Sequence, residues 1–364
     1  MTVQSPQNRM QSVDFFRGFT MFLLIGEFSG LFEALSHPPL DGPLADLVLQ
    51  FHHHPWDGLR FWDLIQPFFM VIVGVSLALS VHNRVQKGAS QKELHKHVLQ
   101  RSLLLLLLGW GLYCIDDGSI TWRFQNVLAQ LAFTYPSAYL LMRKSFRFQL
   151  VFSLLILLAA EVLYRWPFVS GFDQPFVAGQ NIGEWIELQL NGKIPGGHWV
   201  SINALSTSAH TIWGVLIGKW LLGAASSQKK LKMLLLFGIV ALTLGYGLSP
   251  ITPIIKRIAT SSFVLVSGGW TLLFMALSYW LIDLRQKNRF VLFFAVVGMN
   301  PLFIYLFAHV GGAGLLERII HPFSYALTQW GGTQFAAVFT SVLVWAALWG
   351  ICRWLYTQKL FFRI

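Results

Sequence analysis

The chain has 364 residues, of which 55% are hydrophobic, 15% aromatic and only 12% charged, with a mean hydropathy of +0.56. That balance excludes an ordinary soluble domain and describes an integral membrane protein. The formal net charge of +11 is accounted for by topology and by contact with anionic lipid, and does not imply nucleic-acid binding.

Apolar segments of roughly 18 to 25 residues, enough to cross a hydrocarbon core of about 30 Å as helices, recur from end to end. They predict an all-α, polytopic bundle of about ten spans, forming one transmembrane domain over residues 1–364. The span centres fall near Phe22, Ile72, Leu106, Ala132, Leu154, Val215, Ile239, Leu273, Ala295 and Val344. A polar stretch, "MTVQSPQNRMQ", precedes the first span, and no convincing small-residue cleavage site follows that span, so the first helix is read as retained. Cys114 and Cys352 both sit in apolar stretches, which supports neither a disulfide framework nor a cysteine-based metal site.

Cations concentrate in alternate connections: Arg84 to Arg101, Arg143 to Arg147, Lys229 to Lys232, Arg285 to Arg289, and finally Arg353, Lys359 and Arg363. By the positive-inside rule these connections and both termini are cytoplasmic. The other connections, with Asp116, Asp117, Asp173, Glu184, Glu187 and Glu317, then face outward, as does the long loop over about residues 165 to 204.

Polar groups within spans are functional candidates by default. In "SVDFFRGF", Asp14 and Arg17 lie three apart on one helix face, suited to an ion pair or to holding an anionic group such as a cofactor phosphate. Glu27 lies beyond the middle of the first apolar run and calls for a partner, a histidine or a substrate, unless it reaches interfacial water. His52, His53 and His54 are consecutive, so their rings diverge and make a poor three-His metal centre. An imidazole there suits general-base chemistry near neutral pH, or else interfacial anchoring beside Trp56 and Trp62. Asp63, in "WDLIQPFF", can orient a histidine or cap the second span. Arg123, Asn126 and Gln130 form a further polar cluster, with Asn126 and Gln130 on one face. Others contain Ser201, Asn203, Ser206, Thr207 and His210; Lys256, Arg257, Thr260, Ser261 and Ser262; and Asn300 with Tyr305. Each of these groups either lines a cavity or serves as ordinary glue between membrane helices.

In this order, "SVDFFRG", "HHPWDGLRFWDLIQPFF", "RFQNVLAQ", "PIIKRIATSSFVL", "YWLID" and "GMNPLFIY" resemble the heparan-α-glucosaminide N-acetyltransferase family and its bacterial relatives. The most specific element is His, two residues, Trp, one residue, Gly, then Asp and Pro, met by His53, Trp56, Gly58, Asp63 and Pro67. The sequence departs from the family pattern at Asn126, where members carry glycine, and at Ala259, where they carry tryptophan.

The resemblance implies a transmembrane acyltransferase of the bacterial inner membrane, moving an acetyl group from cytoplasmic acetyl-CoA to an amino sugar or glycan outside. It implies His53 as the catalytic histidine, expected to be oriented by Asp63 or Glu27. Asn300, Ser261 or Ser262 is expected to stabilise the oxyanion. Acetyl-CoA is assigned to Asp14, Arg17, Gln130, Ser261, Ser262 and Asn300, and the acceptor to Trp56, Arg123, Asn126 and Lys256. Direct transfer and an acetyl-imidazole intermediate both stay open. Small-residue faces near Gly109 and Gly312 are compatible with a homodimer. The competing class is an amino-sugar transporter or permease, which would also need polar groups at mid-membrane.

Overall fold

A computed structural model describes residues 10–37, 42–166 and 168–362. Most of the polar N-terminal stretch and the cationic Arg363 lie outside the described residues. In chain order the α-helices are α1 (Gln11–Phe28), α2 (Leu31–Ser36), α3 (Pro43–Leu49), α4 (Ile65–Gln86), α5 (Gln91–Asp117), α6 (Val127–Leu141), α7 (Phe146–Arg165), α8 (Ile182–Asn191), α9 (Asn203–Leu222), α10 (Ser227–Leu248), α11 (Ser261–Ser278), α12 (Val291–Gly298), α13 (Pro301–Phe307), α14 (Ala313–Thr328) and α15 (Thr333–Thr357). No strand occurs among the described residues, which carry one isolated antiparallel bridge, between Asp57 and Ile255.

Each sequence-read span centre falls on a helix, but the helices are not equivalent. Among the described residues, seven helical stretches are long and apolar enough to cross a membrane: Phe61–Gln86, Gln91–Asp117, Phe146–Arg165, Ser227–Leu248, Ser261–Leu284, Pro301–Gly331 and Thr333–Thr357. Pro301–Gly331 is not among the ten centres, because exposed Glu317, Arg318 and His321 interrupt its apolar run. Conversely, α12 has 8 residues, about 12 Å at 1.5 Å per residue, far less than a hydrocarbon core. It stops at Asn300, whose non-helical backbone precedes Pro301, the first residue of α13.

The chain folds as two compact units interleaved in sequence: residues 1–52, 60–65 and 275–363 in one, and 53–59 and 66–274 in the other. In the first, α1 packs directly on α12. A Cβ on Gly18 would strike the backbone carbonyl of Phe294, and one on Gly298 would meet Gly18 itself. Around this contact Phe15, Phe19, Phe22, Phe293 and Phe294 meet edge to face, with Trp345 against Phe22.

In the second unit α4 and α9 come equally close. Gly74 lies against the carbonyl of Thr211, and Gly214 against the carbonyl of Val71. Such approach is how membrane helices gain packing energy when lipid and side chain are equally apolar. Two of the glycines read as dimer faces are occupied within the chain: Gly109 by Asn126 and Ala129 at the start of α6, and Gly312 by Phe307. Gly111, Gly311 and Gly314 are the open positions of those two motifs.

Gly214→Leu should therefore destabilise the protein by about 1–3 kcal/mol or more, since backbone rather than a mobile side chain stands in the way. Gly111→Leu, which meets nothing within 4 Å, serves as the control. Thermal unfolding in detergent micelles measures both; equal midpoints for the two variants would remove the close α4–α9 contact from the account.

Candidate functional site

Segment 53–59 and the turn 251–260 between α10 and α11 meet in the second unit as two backbone stretches clipped side by side. Gly58 N–H donates to Ile254 O at 2.8 Å, and Ile254 N–H donates to the Asp57 carboxylate at 3.0 Å. Gly58 has φ +144°, and a Cβ there would fall on the His54 ring, so the sequence needs glycine at this point. The turn is tied internally. Thr260 Oγ1 donates to Pro253 O at 2.7 Å and accepts from Ile255 N–H at 3.0 Å, while Ser262 Oγ donates to Pro253 O at 2.8 Å. Ala259 takes φ +50°, the left-handed conformation that closes the turn.

From α7, Glu161 accepts from Thr252 Oγ1 at 2.6 Å and Ser261 Oγ at 3.1 Å, and Arg165 donates to Ile251 O at 2.8 Å. Arg165 and Glu161 also pair with each other at 2.7 Å. Each of these side chains bonds to the turn, to its neighbour, or to both.

The product of this bracing is one contact. Lys256 is buried, 6% exposed, and its Nζ lies 3.1 Å from Nδ1 of His53. The Trp199 indole stands beside both. Its ring is 5.3 Å from the His53 ring at 69°, 5.5 Å from Lys256 Nζ and 5.6 Å from the Arg257 guanidinium carbon. These separations lie within cation–π range.

Trp199 is itself held by the long 165–204 connection. Arg257 donates to Gly197 O, and His198, at φ +57°, turns its Nδ1 to Glu184. Trp56 donates to Phe176 O at 2.7 Å and meets the His198 ring edge-on. Glu184 and Glu187, one turn apart on α8, are both fully buried. Glu184 accepts from Gly179 N–H and Asn181; Glu187 accepts from Gln125 and Ser201 N–H. Neither needs a counter-cation to be satisfied, because backbone and amide donors surround it.

The remaining sequence candidates are described within their own units. In the second unit, Asn126 caps α6 by accepting from Ala129 N–H at 3.0 Å and donates to Gly109 O at 2.6 Å. Gln130 donates to Gln125 O at 2.9 Å and accepts from Gln66. Arg123 pairs with Asp117 at 2.9 Å and lies over the Tyr113 ring. In the first unit, Asp63 is buried and accepts from Arg60 N–H at 2.9 Å at the start of a short 3₁₀ turn. Exposed Glu27 accepts from the Trp62 indole N–H at 2.9 Å. Asp14 and Arg17 stand 3.4 Å apart. Asn300 is buried and grips the C-terminal segment through both ends of its amide, donating to Leu360 O and accepting from Phe362 N–H, each at 2.9 Å.

Three consecutive histidines thus have three different neighbourhoods: His52 bonds Ser36 at 2.7 Å, His53 bonds Lys256, and His54 fills the space above Gly58. Glu161, Trp199, His198 and the two α8 carboxylates were not singled out as site residues from the sequence. The usable signal for the last two was an acidic i, i+3 pair on a short stretch opened by the helix-capping residue Asn181.

No family model matches the chain. It is similar to two proteins named heparan-alpha-glucosaminide N-acetyltransferase: the mouse protein, 31% identical over 141 residues, 37% of this chain and 19% of that protein, and the human one, 31% identical over 134 residues, 35% and 18% respectively. The matched stretch therefore spans about a fifth of the length of these curated relatives.

Proposed function

We propose that the chain is a transmembrane acetyltransferase, moving an acetyl group from acetyl-CoA on the cytoplasmic side to an amino sugar or glycan on the opposite side of a bacterial inner membrane. The observation that carries this reading is the His53–Lys256 pair. An imidazole is braced by a lysine, walled by an indole and fixed by a backbone clip, in a chain similar to two N-acetyltransferases.

In this reading a cytoplasmic N-terminus followed by one span puts the histidine segment at the outer face. His53 Nε2 takes a proton from the acceptor as its amine or hydroxyl attacks the thioester carbon. Lys256 lies against Nδ1, and Asp63 or Glu27 is the carboxylate that orients the ring. Trp56 and Trp199 offer aromatic faces to the acceptor ring. Thr260 and Ser262 hold the turn, and Ser261 ties it to Glu161. Arg17 serves the donor's phosphates, which a guanidinium grips in a planar fork.

The deciding assay is transfer of label from radiolabelled acetyl-CoA to glucosamine by purified protein in liposomes. His53→Ala should lose between about a hundred- and ten-thousand-fold in turnover, the usual worth of a general base. Near-normal transfer by that variant would overturn the assignment. Uptake of free sugar by vesicles holding no thioester would favour the permease instead.

Asp57→Ala removes the acceptor of Ile254 N–H while leaving every group that touches substrate. It should lower kcat by about ten- to a hundred-fold, because small displacements of a reacting group are expensive. An unchanged kcat would mean that the main-chain bridge alone aligns His53. Arg17→Ala should raise KM for acetyl-CoA with little change in kcat, since it removes binding common to ground and transition states; an unchanged KM would free Arg17 of that role.

A further inference from the structure

Two imidazoles border the aromatic wall of this site. His53 meets the Trp199 ring at 5.3 Å, and His198, the residue before Trp199, meets the Trp56 ring at 5.9 Å and 79°. Each segment thus sets a histidine against the other segment's tryptophan.

His198 is firmly held. Its φ of +57° is uncommon for a residue with a side chain, and bonds on both flanks keep it there: Arg257 donates to Gly197 O, and Ser201 N–H donates to Glu187. Its Nδ1 meets Oε1 of the fully buried Glu184, whose other oxygen accepts from Gly179 N–H and the Asn181 amide. A carboxylate only accepts, and two lone pairs cannot face each other at hydrogen-bond distance, so Nδ1 carries a proton whether the ring is neutral or charged. The proton that comes and goes is the one on Nε2, and 34% of the side chain is exposed. Around this dyad stand Glu187 on α8, Tyr164 of α7 against Gly183, Arg165 over the Phe176 ring, Asp57 beside Trp56, and Lys256 and Arg257 at the Trp199 ring.

We propose, resting on the acetyltransferase reading, that His198 is a second catalytic base and that the acceptor it serves is an amino sugar bound as its ammonium. The indoles of Trp56 and Trp199 suit such a cation, since an aromatic face attracts an ammonium. Stoichiometry calls for the second base. An ammonium that becomes an amide nitrogen loses two protons, and His53 delivers only one of them to the departing thiolate. Nε2 of His198 takes the first, leaving a free amine. The amine nitrogen then bonds to the thioester carbon and its second proton passes to His53. The carbon–sulfur bond breaks with its electron pair going to sulfur, and the thiolate takes the proton from His53. The His198 imidazolium gives its proton to water at the exposed edge of the ring. The net change is ammonium plus thioester to amide, thiol and one proton released to water. A hydroxyl acceptor loses one proton only and would leave His198 without a task.

The test is the pH dependence of kcat/KM for acetyl transfer to glucosamine and to its 3-fluoro analogue, whose electron-withdrawing fluorine makes the amine less basic. His198→Asn is the variant. Asparagine tolerates the left-handed backbone and keeps an amide donor near the place of Nδ1, while Nε2 is gone. The unaltered protein takes the ammonium, so its acid limb should lie at one pH for both acceptors. The variant can use only the free amine. Its kcat/KM should match that of the unaltered protein above the amine's own titration and fall by about tenfold for each unit of pH below it, at a lower pH for the fluoro analogue.

A loss of equal size at every pH would mean that His198 merely holds the loop, and it overturns the proposal, as does an unchanged profile. If the variant does not fold, the unaltered protein decides alone: a limb shared by the two acceptors supports the second base, and a limb that moves with the amine overturns it. Absence of transfer by the unaltered protein is the distinct result that defeats the enzyme reading itself.

Discussion

The second unit is organised around a backbone constraint, the pairing of Asp57–Gly58 with Ile254–Ile255. In a chain this apolar, two polar loop segments can approach only if their amides and carbonyls are bonded, since an unpaired backbone group away from water costs several kcal/mol. The clip satisfies them mutually. With it, Thr260 and Ser262 close on Pro253, and Glu161 and Arg165 brace the turn from α7. The contact of Lys256 with His53 sits on this braced turn.

The same physical rule governs the carboxylates. Glu184 and Glu187 are removed from water, and each is encircled by donors belonging to the long 165–204 connection and its neighbours. They pin the polar side of a connection whose Ile182 and Val200 pack with Tyr164, Ile255 and Ile258. The residue they fix through His198 and Ser201 is the intervening Trp199, whose indole forms one wall beside His53 and Lys256. A loop of this length without such internal bonding would leave the wall undefined.

Much of the helical plan was legible in hydropathy, because a run of some twenty apolar residues has few other uses. It was less legible where a helix carries a polar stripe. Pro301–Gly331 escaped notice through Glu317, Arg318 and His321, while the apolar run about Ala295 suggested a full span where the helix is broken at Asn300. The site was legible in its parts. His53, Lys256 and Trp56 were named from motif and residue type, but a separation of 203 positions between His53 and Lys256 carries no information about which turn meets which loop. Glu161 and Trp199 were illegible for a related reason, since an isolated acid in an apolar helix and one more tryptophan acquire meaning only from what folding brings against them.

That distinction bears on how the polar residues divide. Asn126, Gln130 and Asn300 were candidates because an amide in a membrane segment needs a reason, and each has a local one: a helix cap, a tie across α4 and α6, and a grip on the C-terminal segment. These amides satisfy backbone groups that helix ends leave open. The contact of His53 with Lys256 differs in kind, since it joins two titratable side chains rather than a side chain and a backbone group, and it stands beside the backbone clip of the 53–59 and 251–260 segments rather than at a helix end.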